Sequence, residues 1–346
     1  MRVLVLGGTG FIGPHIVRRL VAHGHEVTIF QRGSGLADLL AGVGVIAGDR
    51  NQLEASGTEF GNLRPDVVVD VIAFTEEQAK GLMRAFGGIA KRTVILSSGD
   101  VYRANDLLFR RITGTPDPTP LTESSPLRDR LYPYRGTQIP PMAGFSWDDY
   151  DKVLVERAVM SSAELPATVL RLPMMYGPGD HGGMKRRFFT YLKRMDDGRQ
   201  AILMDQRTAR WRAPWGYVED MAEAVRLAVE NERATGEVYN LGETGGLTLQ
   251  GWVEELAIVA AWSGRITVVD EECPAPNLPR TLNLDQNLEM DAAKIRRDLG
   301  YQETVSRREA LRRNVAWDRE HPPKQLDPGQ FDYAAEDAIL SRATTG

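Results

Sequence analysis

Cysteine is almost absent from this chain: Cys273 stands alone among 346 residues. A lone thiol excludes an intramolecular disulfide and any cysteine-based metal cluster, and it fits a reducing, cytoplasmic setting. Histidine is scarce as well. The five present are scattered without ligand spacing, so no metal is expected. No apolar run approaches the roughly 20 residues that span a bilayer, which argues against a membrane role. A strand-like run already begins at residue 2, leaving no room for a signal peptide. An excess of positive charge is missing too. With 42 Lys and Arg against 47 Asp and Glu, the net charge of −5 offers no overall attraction to nucleic acid or to an anionic membrane. These absences leave a soluble intracellular protein that handles a small molecule, as a monomer or a homodimer. Its length suits one large α/β unit or two tightly joined parts with ample core.

What the chain does have is glycine in an informative place. A β-branched apolar run at 3–6 leads directly into Gly7, Gly10 and Gly13, and an amphipathic stretch at 14–23 follows. Strand, glycine turn and helix form the context that a dinucleotide-binding turn requires. The glycines let the backbone approach a pyrophosphate, which then rests on amides at the helix N-terminus. Thr9, Phe11 and Ile12, which complete the turn, are therefore candidate cofactor contacts. Further strands are expected at 27–30, 43–47, 67–72 and 93–96, with a helix at 76–86 between the last two. Such alternation implies an α/β fold with a doubly wound parallel sheet and a ligand at its C-terminal strand ends. Periodicity then stops over 103–147, a Pro-, Gly- and Arg-rich stretch read as a lid over the expected site. A helix at 149–160 and a strand at 167–172 follow. Beyond them come a helical run at 219–229, an extended one at 237–241 and another helical run at 249–261. From 319 onward prolines and mixed charge suggest a tail packed on the surface or on a partner subunit.

Several motifs occur in order after the glycine turn. They are Gly48-Asp49-Arg50, Ser97-Ser98-Gly99-Asp100-Val101-Tyr102, Leu170-Arg171-Leu172-Pro173 and Tyr176-Gly177-Pro178-Gly179. Downstream stand Tyr217-Val218-Glu219-Asp220, Tyr239-Asn240-Leu241-Gly242, and Asp291 through Lys294 to Leu299-Gly300-Tyr301. Together they resemble the extended short-chain dehydrogenase/reductase family, of the NAD-dependent epimerase/dehydratase type, over roughly residues 1–315. The resemblance implies a Rossmann-type domain at 1–172, carrying the lid, and a smaller α+β substrate region at 173–318 interleaved with it. The tail at 319–346 lies beyond. It also implies adenine contacts from Asp49 and Arg50, a catalytic hydroxyl at Ser98, and a loop past the nicotinamide at Leu172 and Pro173. The implied activity is reversible hydride transfer at a hydroxyl or carbonyl of a polar, sugar-like or anionic molecule, as reductase, epimerase or dehydratase. The alternative is a dinucleotide-binding regulator or RNA-binding member without turnover.

The catalytic pattern departs from that family. Its members carry Tyr and Lys four residues apart on one helix face, where Lys lowers the phenol pKa and binds the ribose. Lys152 fits the lysine position, but Asp148 stands four residues earlier. Tyr150 is two residues away, about 200° around a regular helix. Either Asp148 or Asp149 caps the helix and Tyr150 sits in a distorted first turn, or another group carries the proton. Tyr132 and Tyr134 of the lid are candidates, as is Asp100, which occupies a place where related dehydratases carry an acid. For the cofactor, Gln31-Arg32 replaces the acid that would hold an NAD ribose, which favours NADP while leaving NAD open. On the substrate side, Ala213 stands where the family's diphosphate-binding arginine would align. Residues 185–212 carry nine Lys or Arg against three Asp. That surplus reads equally as an anion site or as a solvated face over Trp211 and Trp215.

Overall fold

The computed structural model describes residues 1–33, 42–139, 145–180, 186–270, 281–326 and 328–343; Cys273 lies outside them. The apolar runs of the N-terminal half form β1 (Arg2–Leu6), β2 (Glu26–Gln31), β3 (Gly44–Ala47), β4 (Val67–Asp70), β5 (Arg92–Ser98) and β6 (Ala167–Leu172). Short strands β7 (Met174–Tyr176), β8 (Ala201–Asp205), β9 (Trp215–Tyr217), β10 (Val238–Asn240) and β11 (Arg265–Val269) follow. Among the described residues the main sheet has seven strands in the order β10-β6-β5-β4-β1-β2-β3, and each pairing is parallel. β4 is buried along its whole length, as a central strand covered on both faces must be.

Helices α1 (Gly13–Ala22), α2 (Gly57–Leu63), α3 (Glu76–Phe86), α4 (Arg103–Leu108) and α5 (Lys152–Met160) belong to this half. The rest are α6 (Phe189–Asp196), α7 (Gln206–Arg210), α8 (Val218–Glu230), α9 (Leu249–Ala260), α10 (Ala293–Leu299), α11 (Arg307–Glu320) and α12 (Tyr333–Ala343). Two apolar cores cover the sheet. One joins Ile16, Val17 and Leu20 of α1 to Val225 and Ala228 of α8. The other gathers Phe60, Leu82 and Phe86 with Val155 and Val159 of α5. Because β10 completes the main sheet beside β6, the chain beyond 173 is woven into the same body. No helix among the described residues is long and apolar enough to cross a membrane.

Two expectations need correction. The stretch from 103 is not pattern-free at its start, since α4 forms there and buries Ala104, Leu107 and Leu108. The helix expected from 149 begins at Lys152. Ser146 caps a separate short turn at Trp147–Asp149, Tyr150 is extended and bridges Thr75, and Asp151 caps α5 through Val153 N and Leu154 N. The cap is thus neither Asp148 nor Asp149. The tail packs on the surface of its own chain, one of the two places expected for it. Ile339 and Leu340 cover Leu203 and Val269, and Arg194 forms a buried ion pair with Glu336.

Candidate active site

The glycine turn works through what is not there. Gly7 holds φ at +93°, and a Cβ at Gly13 would fall on the Gly7 carbonyl, so α1 starts in contact with the turn. A Cβ at Gly10 would meet nothing within 4 Å, so open space lies over the turn's middle. Thr9 and Gly10 are exposed, Phe11 is half-buried, and the Ile12 side chain is in the core. Thr75 and Asp151 cap α3 and α5 with their side chains, yet no side chain caps α1. Pro14 has no N–H and His15 N already donates to Ile12 O at 3.1 Å, so the amides of the turn up to Gly13 are what remains for a phosphate. The loop after β7 closes on this turn: Gly179 lies beside Phe11 and His15, and His15 Nε2 is 3.0 Å from Pro178 O.

At the end of β2, Gln31 is 9% exposed and its buried Nε2 has no hydrogen-bond partner. An orphaned donor there is what a ribose hydroxyl would satisfy. Arg32, next to it, is exposed. Asp49 accepts from Asn51 N at 2.9 Å and caps the turn that follows. Arg50 turns the other way. Its guanidinium is buried in an ion pair with Asp70 and donates to Gln78 O, so its side chain is spent on the fold and not on an adenine. The remaining features, an open glycine turn, an uncapped helix and an orphaned amide, fit a dinucleotide.

The groups expected to do chemistry gather where β4 and β5 end. Ser98 lies opposite Leu172 in the sheet, and its Oγ accepts from Asp100 N at 3.2 Å. Tyr150 Oη donates to Asp100 Oδ2 at 2.6 Å, while Asp100 Oδ1 is buried without a partner. Lys152 Nζ donates to Ala73 O at 2.7 Å and Leu96 O at 2.8 Å, and it sits 4.7 Å from the centre of the Phe74 ring. A buried Arg128–Asp151 ion pair supports the cluster, with Arg128 Nε donating to Asp100 O at 3.1 Å. Pro173 packs so closely on Gly216 that a Cβ there would lie 2.6 Å from its Cγ. Of the tyrosines at 132 and 134, Tyr134 reaches the site, with its ring centre 5.2 Å from that of Tyr150. Tyr132 does not; its ring lies under Arg135.

The electrostatics of the pair are set chiefly by burial. The Tyr150 pKa is raised well above the ordinary phenol value, by burial first and by the Asp100 carboxylate second. Burial also raises Asp100 and pulls Lys152 down to about 8. Lys152 donates to backbone carbonyls, and it is not among the main causes acting on the phenol. Tyr150 and Asp100, considered separately from sequence, form one hydrogen-bonded pair because Tyr150 precedes the helix. Sequence reasoning missed Asp70, Phe74 and Arg128, which act from distant segments. Asp151 did carry a signal, as a helix-capping residue type directly before Lys152.

The positive stretch at 185–212 is largely neutralised within the chain. Arg186 pairs with Asp318, Lys193 with Asp197, Arg194 with Glu336 and Arg199 with Asp337. Trp211, Ala213 and Trp215 are buried beneath it. Three of the nine, Arg186, Arg194 and Arg199, dock α11 and α12.

The model of the NAD dependent epimerase/dehydratase family matches residues 3–85 and 149–242, leaving out residues 86–148. The chain belongs to this family of enzymes. The 2'-dehydrokanamycin reductase of Streptomyces kanamyceticus is 29% identical over 245 residues, 70% of this chain and 61% of that protein, so the match spans less than two thirds of the reductase. The UDP-N-acetyl-alpha-D-glucosaminuronate decarboxylase of Bacillus cytotoxicus is 25% identical over 350 residues, 92% of this chain and 98% of that one. Among solved structures, the Bordetella bronchiseptica enzyme WbmG in complex with NAD and UDP is similar at a TM-score of 0.65. It is 18% identical, and the match covers 95% of this chain and 99% of that one. That likeness is one of fold.

Proposed function

We propose that this protein carries out reversible oxidation and reduction at a hydroxyl or carbonyl carbon of a sugar-like small molecule, as a reductase, epimerase or dehydratase. The observation that carries the reading is the Tyr150–Asp100 pair, joined through the Asp100 backbone to Ser98 at the end of β5. Bound dinucleotide would supply the hydride acceptor or donor. The turn from Gly7 to Gly13, Gln31, Asp49 and Lys152 would hold it, with Leu172 and Pro173 flanking it. Relatives named for 2'-dehydrokanamycin and for a UDP-linked sugar acid support a polyhydroxylated ring as the shared element.

In this reading Ser98 Oγ hydrogen-bonds the substrate oxygen. Tyr150 Oη takes the carbinol proton as its own proton passes to Asp100 Oδ2. No free phenolate has to form, which suits a phenol whose pKa is raised. Burial raises the Asp100 pKa, which favours its holding the proton and returning it on reduction. Lys152, charged below about pH 8, offers the ribose the N–H that its two carbonyl partners leave over. Arg32 after β2 favours NADP, because a guanidinium suits a 2'-phosphate that an acid would repel.

The test follows absorbance of reduced nicotinamide with free keto sugars and with nucleotide-linked ones. Tyr150→Phe and Asp100→Asn are each expected to lower kcat by about 100-fold or more while dinucleotide Kd stays within about twofold. Full turnover in Tyr150→Phe ends the proton relay.

A further inference from the structure

Within the positive stretch at 185–212, one described cation is left without an acceptor. Beyond the ion pairs of Arg186, Lys193, Arg194 and Arg199, Arg207 reaches Asp285 at 3.9 Å, and Arg210 and Arg212 donate to backbone carbonyls. Arg187 forms no hydrogen bond or ion pair among the described residues. It is half-buried. The Nε atoms of Arg186, Arg199 and Arg207 are sealed from solvent, but the nitrogens of Arg187 are not.

Its place in the fold sets it against the site. Phe188 is buried, with its ring 5.3 Å from that of Tyr176, so Arg187 is pinned where β7 gives way to the loop that closes on the glycine turn. The ionisable groups that act on its charge are Asp180 of that loop and the Tyr134 phenol. Tyr134 packs edge-on against Tyr150, and Arg111 Cζ lies 5.0 Å from the Tyr134 ring. Arg111 pairs with Asp106 at 3.2 Å, and Arg128, on the Asp100 side, pairs with Asp151 at 2.7 Å. Of these three guanidinium groups, Arg187 alone has no carboxylate of its own. Burial holds it below its ordinary pKa, and Asp180 opposes that without cancelling it. A desolvated cation without a partner costs the fold free energy that a bound anion would return.

We infer that Arg187 receives an anionic group of the substrate, a carboxylate or a phosphate, and seats it beside Tyr134 while the reacting carbon lies at the Tyr150–Asp100 pair. A guanidinium fork fits either anion through two parallel hydrogen bonds. The dinucleotide has its own places, at the Gly7–Gly13 turn and at Gln31, whereas Tyr134 borders the proton-carrying phenol. This rests on the proposed sugar-like substrate and narrows it to a sugar acid or a sugar phosphate.

Calorimetric titration of the dinucleotide-loaded protein with D-glucuronate, D-glucose 6-phosphate and D-glucose tests it without turnover. At least one of the two anions should bind about tenfold or more tightly than D-glucose, and which one does so separates carboxylate from phosphate. Arg187→Gln should abolish that preference while dinucleotide Kd stays within about twofold. Its Tm should not fall, since the charge has no partner to lose. Arg187→Lys keeps the charge without the fork and should retain part of the preference. Neither anion binding more tightly than D-glucose overturns the assignment, as does a preference unchanged in Arg187→Gln. A loss of dinucleotide affinity as large as the loss of sugar affinity also overturns it, because the anion held would then be the cofactor's. An unchanged preference with Tyr150→Phe inactive removes the role of Arg187 alone; a preference lost in Arg187→Gln with Tyr150→Phe active removes only the proton relay.

Discussion

The two sides of this site are built by opposite means. On the dinucleotide side, one contiguous stretch from β1 to α1 does most of the work, and it does so with backbone and missing side chains. On the side proposed for the chemistry, Ser98, Asp100, Tyr150 and Lys152 come from separate segments of the chain, and each would act through its side chain. The first kind of site is tuned by what a Cβ would obstruct. The second is tuned by which donors and acceptors have partners. Lys152 belongs to both, since it anchors on the ends of β4 and β5 while facing the Asp100–Tyr150 pair electrostatically.

Removing Lys152 should therefore break the comparison most severely. Lys152→Met is expected to lower turnover by about 100-fold or more and to weaken dinucleotide binding as well, whereas Tyr150→Phe spares binding. In the unmodified protein, dinucleotide affinity should fall as pH rises through about 8, where the ammonium loses its proton. The unfolded chain keeps that proton up to the ordinary value of 10.5, so folding stability should rise over the same window. Titration calorimetry across pH and thermal melts would record both trends. A pH-independent Kd in the unmodified protein would remove Lys152 from the cofactor side.

A pair of glycine substitutions sharpens the backbone half. Gly10→Val places its side chain in open space, so affinity for the dinucleotide should drop at least about tenfold with Tm unchanged. Gly13→Ala drives a Cβ into the Gly7 carbonyl and should cost about 1–3 kcal/mol of stability. Equal effects of the two on Tm would mean that the space over Gly10 is not a binding surface. The smallest effect expected is selective: Arg32→Ala should weaken NADP binding about tenfold and NAD binding hardly at all, the loss of one charge-assisted phosphate contact. Parallel losses for both cofactors would show that Arg32 does not read the 2'-phosphate.

The glycine turn and the parallel strands were legible because their signals are local. A β-branched run, a glycine at a fixed offset and a helix period all fall within one short window. α3 was bounded correctly for the same reason, with Thr75 and Gln78 forming a capping box at its start. β7, β8 and β9 lie outside the regular strand–helix alternation of the N-terminal half, and they were not anticipated. The surplus of Arg and Lys at 185–212 was visible, but its partners Asp318, Glu336 and Asp337 lie more than 100 residues away.

Tyr150 marks the boundary most clearly. Sequence alone determined that a lysine of the right kind stands at 152, that a serine and an acid follow β5, and that no tyrosine occupies the usual helix position. It could not determine where α5 starts, because Asp148, Asp149 and Asp151 are all competent caps. Tertiary structure decided that. The bridge between Tyr150 and Thr75 and the ion pair from Arg128 to Asp151 fix the helix start at Lys152. Tyr150 is thereby freed from the helix and delivered to Asp100. Helical angles constrain only residues inside a helix, and which residues lie inside was set by contacts that are distant in the chain.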